Sequence, residues 1–258
     1  MSVLDMFSLR RKVAVVSGGA GLYGRQIAEA LAEAGARTFI ASRNVAKLEH
    51  EAAALRERGL GVEAVEFDQG DESSIESLAQ SVIERAGAVD VLVNNAVLRP
   101  MKGWDDPTEN FELSMRVNAT GVFLMTRAFG RYMTNRGSGS IINIGSIQGL
   151  VGPDLSLYQE VGWDTPPDYF FHKGGMLQLT RFAAAKLGPA GVRVNCVIPG
   201  GFYNEQDERF VKRYCERTFL GRMANERDLK GAIVFLASDA SAYVTGSSLV
   251  VDGGYTAK

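Results

Sequence analysis

The chain has 258 residues, of which 46% are hydrophobic and 22% charged, with a formal net charge of −2. That size suits one α/β domain with a large core, and the charge excludes the strongly basic surface that nucleic acid or an anionic membrane would call for. No apolar run approaches the roughly 18 residues of a membrane span, Met1 to Leu9 lack a signal-peptide core, and Cys196 and Cys215, which could in principle bridge, suit a reduced cytoplasmic chain better.

The first apolar run, Val13-Ala14-Val15-Val16, reads as a strand over 12–17. It enters Ser17-Gly18-Gly19-Ala20-Gly21-Leu22-Tyr23-Gly24, and a helical pattern follows over 23–34. Strand, glycine-rich turn and helix form the context of a dinucleotide-binding fingerprint. Its glycines let backbone N–H groups approach a pyrophosphate, and the helix N-terminus adds partial positive charge. A plain packing turn would look the same. A second strand reads at 37–42 and a helix at 44–58. Between them stand Ser42 and Arg43, where an acidic residue would accept from the ribose hydroxyls of NAD. Arginine instead offers a cation and planar donors to a 2′-phosphate, so NADP(H) is favoured, with NAD(H) as the alternative.

A third strand at 62–67 ends in Asp68 and Gln69, and the Asp68 carboxylate can accept from an adenine amino group. Asp71 or Ser73 is better placed to cap the helix at 72–86. A fourth strand, 89–94, leads into Asn94-Asn95-Ala96, whose amides can bond backbone across neighbouring strands. The long helical stretch 109–135 contains Asn118, a poor interior helix residue. A kink with a bound water or a buried, satisfied amide would account for it. The fifth strand, 140–145, ends at Ser146, whose hydroxyl could donate to a substrate oxygen or simply form a turn.

Tyr169 and Lys173 share one face of a helix read over 169–187. A lysine cation lowers the pKa of a neighbouring phenol, and such a group can move a proton to or from a carbonyl or alcohol oxygen. A strand at 192–198 leads to Pro199 and Gly200, and a helix at 226–237 and a strand at 248–251 follow. The strand runs are continuous rather than alternating, as in a parallel sheet covered on both faces. The expected architecture is one doubly wound α/β sandwich of about seven parallel strands, with ligands beyond their carboxyl ends. Two stretches, 147–168 and 199–222, resist that pattern and should overhang the same edge as substrate-side loops. No Cys/His cluster has metal-ligand spacing, and no metal is expected.

In joint order and spacing these elements resemble the short-chain dehydrogenase/reductase family over essentially the whole chain. The resemblance rests on the glycine-rich turn, Asp68, Asn94-Asn95-Ala96, Asn118, Ser146, Tyr169 with Lys173, Asn195 to Gly200, and Tyr243-Val244-Thr245-Gly246 through Asp252-Gly253-Gly254. It implies a single Rossmann-type NAD(P)-binding domain over 1–258 and an oxidoreductase that interconverts a secondary alcohol and a ketone. It further implies that Tyr169 is the acid/base, that Lys173 lowers its pKa and bonds the nicotinamide ribose, and that Ser146 polarises the substrate oxygen. Asn118 would hold a water linking Lys173 to solvent, and Pro199 and Gly200 would pass beside the nicotinamide. Ser17, Gly18, Gly21, Leu22, Tyr23, Gly24, Ser42, Arg43, Asp68, Gln69, Asn95 and Ala96 would contact the rest of the cofactor. A homo-oligomer, dimer or tetramer, is also implied.

Four departures stand out. Leu22 replaces a middle glycine, Val97 replaces the glycine after Asn-Asn-Ala, and the usual threonine is missing from Pro199 to Asn204. Ser146 and Tyr169 lie 23 positions apart (169 − 146), against about 13 in the family. Tyr158 stands near the ordinary distance, but Gly162 rather than lysine follows one turn later. The extra residues mix aromatics with hydrogen-bonding groups, which suits a sugar, polyol or sugar acid touched by Gln148, Tyr158 and Trp163. A 3-oxoacyl thioester reductase and a non-catalytic nucleotide sensor are the alternatives.

Overall fold

The computed structural model describes residues 2–258. Its strands are β1 (Val13–Ser17), β2 (Arg37–Ser42), β3 (Val62–Glu66), β4 (Val91–Asn94), β5 (Gly139–Ile144), β6 (Val192–Pro199) and β7 (Ser248–Val251). All pair in parallel, in the order β3-β2-β1-β4-β5-β6-β7. The chain builds outward from β1 to β3 and then restarts on the other side with β4. The carboxyl ends of β1 and β4 therefore flank a crevice at the switch point, where this architecture binds ligands.

Successive strand side chains point to opposite faces, so a strand covered on both faces must be apolar at every position. Ala14 and Val16 of β1 pack into one core with Val91 and Val93, Ile142 and Ile144, and Val197. Val13 and Val15 pack into the other with Leu92, Ile141 and Val194. Helices α1 (Leu22–Glu33), α2 (Val45–Glu57) and α8 (Lys230–Ala237) cover the first face through Ile27, Leu31, Leu48 and Ile233. Helices α3 (Glu72–Ala86), α5 (Gly121–Arg136) and α6 (Pro167–Leu187) cover the second through Ile75, Leu78, Met125, Phe129, Ala183 and Ala184.

Three sequence expectations change. The stretch read as one helix over 109–135 is α4 (Thr108–Met115), a π turn (Arg116–Thr120) and α5, with Asn118 inside the π turn. The helix read from 226 begins at Lys230, because Asp228 accepts from the Asn225 N–H at 2.7 Å and closes a turn first. The segment 199–222 contains α7 (Glu208–Arg217), capped by Asp207, whose carboxylate accepts from the Arg209 N–H. Charged residues crowd α7, so its apolar stripe is short. The segment 147–168 winds through short 3-10 turns at Ile147–Gly149, Leu155–Leu157 and Gln159–Val161 before α6 starts.

A buried polar chain fixes α6 against the sheet. The Asn94 amide donates to Asn143 Oδ1 at 2.8 Å, and the Asn143 amide donates to Thr180 Oγ1 at 2.9 Å. Replacing Asn143 leaves the Asn94 amide without its shorter acceptor in the interior. Asn143→Ala is expected to lower unfolding stability by about 1–3 kcal/mol, read from urea denaturation; an unchanged midpoint would show that the chain of amides contributes nothing.

Candidate active site

A cleft of about 750 Å³ runs along the carboxyl ends of the strands. Its floor at one end is the glycine-rich turn. Gly18 has φ +68°, and a Cβ there would lie 2.8 Å from the Ala96 Cα. A Cβ on Gly24 would lie 2.0 Å from the Gly18 carbonyl oxygen, so this glycine lets α1 pack onto the turn. Gly24 itself lies behind the residues that line the cleft. Ser17 is fully buried, and its hydroxyl accepts from the Asn95 and Ala96 N–H groups at 3.1 and 3.0 Å. Leu22 opens α1 with an ordinary negative φ, so the backbone there does not require glycine; its exposed side chain lines the cleft.

The other expected cofactor residues all line this cleft: Gly18, Gly21, Leu22, Tyr23, Ser42, Arg43, Asp68, Gln69, Asn95, Ala96, Tyr169, Lys173, Pro199 and Gly200. Asp68 Oδ1 accepts from the Gly70 N–H at 2.8 Å, while buried Gln69 Oε1 has no hydrogen-bond partner among the described residues. The Asn95 amide donates to the Ser17 and Gly18 carbonyls, as expected of a cross-strand tie. Tyr23 donates to the Gly200 carbonyl at 2.7 Å and so joins α1 to the segment after β6. A cradle without Cβ atoms, an orphaned acceptor and an arginine at the adenosine end fit an NADP-type dinucleotide.

At the other end Tyr169, Lys173 and Ser146 meet. Lys173 is buried, and its ammonium donates to the Ile144 carbonyl at 2.6 Å and lies 5.6 Å from the Tyr169 ring centroid. Sequence reasoning missed Arg99, which donates to the Tyr169 hydroxyl at 3.3 Å with its guanidinium carbon 4.6 Å from the ring centroid. Burial pushes the Tyr169 pKa up, but the Lys173 and Arg99 charges and hydrogen bonds from Ser146 and Arg99 outweigh it, leaving it below the ordinary tyrosine value. Burial holds Lys173 below the ordinary lysine value, against the pull of Tyr169 and Cys196. Burial, with the Lys173 and Arg99 charges, pushes His172 down to about 3, so its imidazole is neutral near pH 7.

Asn118 does not reach the cleft. Its amide donates to the Leu98 carbonyl at 2.7 Å and to Ser114 at 3.0 Å, and its oxygen accepts from the Leu98 N–H at 2.8 Å. It therefore clamps the peptide next to Arg99. Gly149 was also missed: a Cβ there would lie 2.6 Å from the Lys173 carbonyl oxygen, so the turn after Ser146 packs directly on α6.

The end of the cleft beyond Tyr169 is walled by rings. Trp163 and Tyr158 each contact Phe210, with centroids 5.4 and 5.6 Å away. Phe210 contacts Tyr214, which stacks on Tyr255 at 5.0 Å. Gln148 donates to the Tyr158 hydroxyl at 3.3 Å. Burial raises the Tyr158 pKa, the opposite of Tyr169. The three residues from α7 and the chain end escaped sequence reading; the spacing of Phe210 and Tyr214 on α7 was the available signal. Arg217 pairs with Asp154 and bonds Ser156, tying α7 to the 147–168 segment. In the segment that lacks the usual threonine, Gln206 lines the cleft and donates to the Phe202 carbonyl at 2.7 Å.

Comparison with known proteins agrees with this arrangement. A family model described as enoyl-(acyl carrier protein) reductase matches residues 21–256. An uncharacterized oxidoreductase of Thermotoga maritima is 35% identical over 260 residues, covering 97% of this chain and 98% of the relative. Gluconate 5-dehydrogenase of Gluconobacter oxydans is 33% identical over 271 residues, covering 99% of each. The crystal structure of a gluconate 5-dehydrogenase from Burkholderia cenocepacia, in complex with NADP and tartrate, is similar with a TM-score of 0.91 and 33% identity over 100% of both chains.

Two outcomes follow from the geometry. Arg99→Leu removes a cation and a donor from Tyr169, so the rise of alcohol oxidation with pH is expected to move to higher pH in rate profiles; an unmoved limb would deny Arg99 that influence. Gly149→Ala, crowding the Lys173 carbonyl, is expected to lower turnover roughly tenfold or more by displacing α6, with stopped-flow rates as the measurement.

Proposed function

The chain belongs to the short-chain dehydrogenase/reductase family, and on that premise we propose that Tyr169 exchanges the proton with the substrate oxygen. The protein is an oxidoreductase that interconverts a secondary alcohol and a ketone of a sugar-related substrate, with NADP(H) favoured as cofactor. The glycine-rich turn and Pro199-Gly200 would hold that cofactor, which would supply or take up the hydride. Tyr169 holds or releases the proton at its phenolic oxygen, with Lys173 and Arg99 favouring the phenolate. Ser146 donates to the substrate oxygen and steadies charge there. Asn118 acts at a distance, holding the Leu98 peptide. The observation that carries this reading is one hydroxyl, Tyr169, beside two cations in a dinucleotide-shaped cleft.

The substrate proposed is a sugar acid. Among the described residues no carboxylate pairs with Arg99, which is the cation nearest the Tyr169 hydroxyl from the solvent side. An arginine fork matches a carboxylate or a pair of hydroxyls. The Trp163–Phe210–Tyr158 wall offers apolar faces to sugar C–H groups. A homo-oligomer, dimer or tetramer, is proposed from exposed Phe123, Phe171 and Phe182 on α5 and α6 and from β7 as a sheet-edge strand with Val250 exposed. A reducing, cytoplasmic setting is proposed from the two unbridged thiols.

Tyr169→Phe is expected to lower kcat by about 10²–10⁴ while NADPH still binds, and Tyr158→Phe to retain measurable turnover. The reverse pattern would move the proton chemistry to Tyr158. Arg99→Leu is expected to raise KM for aldonic or ketoaldonic acids roughly tenfold to a hundredfold and to change neutral polyols little; equal effects on both classes would sink the sugar-acid assignment.

A further inference from the structure

We infer that Asp164 is a positioning residue: its carboxylate latches the 97–107 loop to the segment that leads into α6 and so sets Arg99 against the Tyr169 hydroxyl. The inference rests on the reading above that Arg99 favours the Tyr169 phenolate, and it gives the 147–168 segment a part in the proton chemistry as well as in the cleft wall.

The loop is hydrogen-bonded to the rest of the chain at few places. Asn118 clamps its start through the Leu98 peptide, and Arg99 follows at once. Beyond Arg99 the loop supports itself: the Lys102 N–H donates to Asp106 at 2.6 Å, and the Lys102 ammonium donates to the Arg99 carbonyl at 3.3 Å. Among the described residues one hydrogen bond ties 100–106 to another segment, from the Trp104 N–H to Asp164 Oδ2 at 2.9 Å. The fit is close. A Cβ on Gly103 would lie 2.5 Å from that oxygen, so the glycine lets the loop backbone seat on the carboxylate.

The other side of the latch is stiff. Asp164 Oδ1 accepts from the Thr165 N–H at 2.7 Å. Pro166 and Pro167 follow, each with φ locked by its ring. The Tyr169 N–H then donates to the Pro166 carbonyl at 3.2 Å as α6 begins. Four residues, two of them prolines, thus separate Asp164 from Tyr169. The loop touches this short strut twice, with Trp104 on Asp164 and Arg99 on Tyr169. The first contact fixes where the second can form. An aspartate that merely shaped its own turn would need only the Thr165 bond; here the second oxygen serves a partner 60 positions away.

Tyr169 is faced by Lys173 and a neutral His172 from its own helix, by Ser146 from the turn after β5 and by Arg99 from the loop. Tyr23 and Tyr158 line the same cleft, and burial keeps both phenols neutral. Arg99 is the one of these groups that the loop carries. Slack in the loop therefore raises the pKa of Tyr169, whereas loss of a carboxylate acting through charge alone would lower it.

The test reads the phenol directly, by ultraviolet difference titration of the full-length protein; subtracting Tyr169→Phe isolates its step from the other tyrosines. Asp164→Ala, and Gly103→Ala, which crowds the carboxylate without changing any charge, are each expected to raise the Tyr169 midpoint by about 0.5–1 pH unit, and Arg99→Leu by at least as much. Asp164→Asn keeps an acceptor and should hold the wild-type midpoint or fall slightly below it. Adding Asp164→Ala to Arg99→Leu should change nothing further, since both act through one contact. The remaining tyrosine steps should stay in place in every variant, which reports an intact fold. A midpoint that rises in Arg99→Leu but stays or falls in Asp164→Ala and Gly103→Ala overturns this inference alone. A midpoint unmoved by Arg99→Leu overturns the reading that Arg99 tunes Tyr169, and the inference with it.

Discussion

A buried ammonium organises this molecule. Taking the Lys173 charge out of water is costly unless it is hydrogen-bonded and balanced. The Ile144 carbonyl at the end of β5 and the oxygen of Tyr169 meet that demand from two different elements. The end of β5 also delivers Ser146, and α6 delivers Tyr169, so satisfying one cation aligns three side chains. The Asn94–Asn143–Thr180 chain and the close approach of Gly149 hold the same two elements together from below and beside. Chemistry and packing are thus one requirement here: a helix that slipped would strand a charge.

A second layer of positioning operates through loops. Asn118 sits in a π turn that interrupts α4 and α5, and its amide holds the Leu98 peptide by both its donor and its acceptor. The next residue, Arg99, reaches the Tyr169 hydroxyl. The phenol therefore lies between one cation fixed inside the protein and another carried by a clamped loop. Their opposite degrees of burial make the first an electrostatic foundation and the second a contact available to whatever enters.

Much of this was legible in the residues. The continuous apolar runs forced a two-faced parallel sheet, and the glycine-rich turn, Ser146, Tyr169 and Lys173 fell at strand ends or on one helix face where simple periodicity puts them. What escaped has a common physical cause. Arg99, Gly149, Phe210, Tyr214 and Tyr255 act through contacts between segments distant in sequence, and no local pattern encodes those. Ser17 and Gly24 show a packing role that their place in the turn did not announce. One satisfies buried N–H groups and the other makes room for a carbonyl. The helix α7 was hidden because its charged residues left too few apolar positions to show a period.

The ring wall comes from three separate stretches: Tyr158 and Trp163 before α6, Phe210 and Tyr214 on α7, and Tyr255 near the chain end. None of these stretches carries Ser146, Tyr169 or Lys173, which stand at the end of β5 and on α6. On the proposed reading, mutation in any of the three would reshape what the enzyme accepts while leaving Ser146, Tyr169 and Lys173 in place. Such separation gives a lineage room to adopt new nutrients by drift at the rim while inheriting its reaction centre whole.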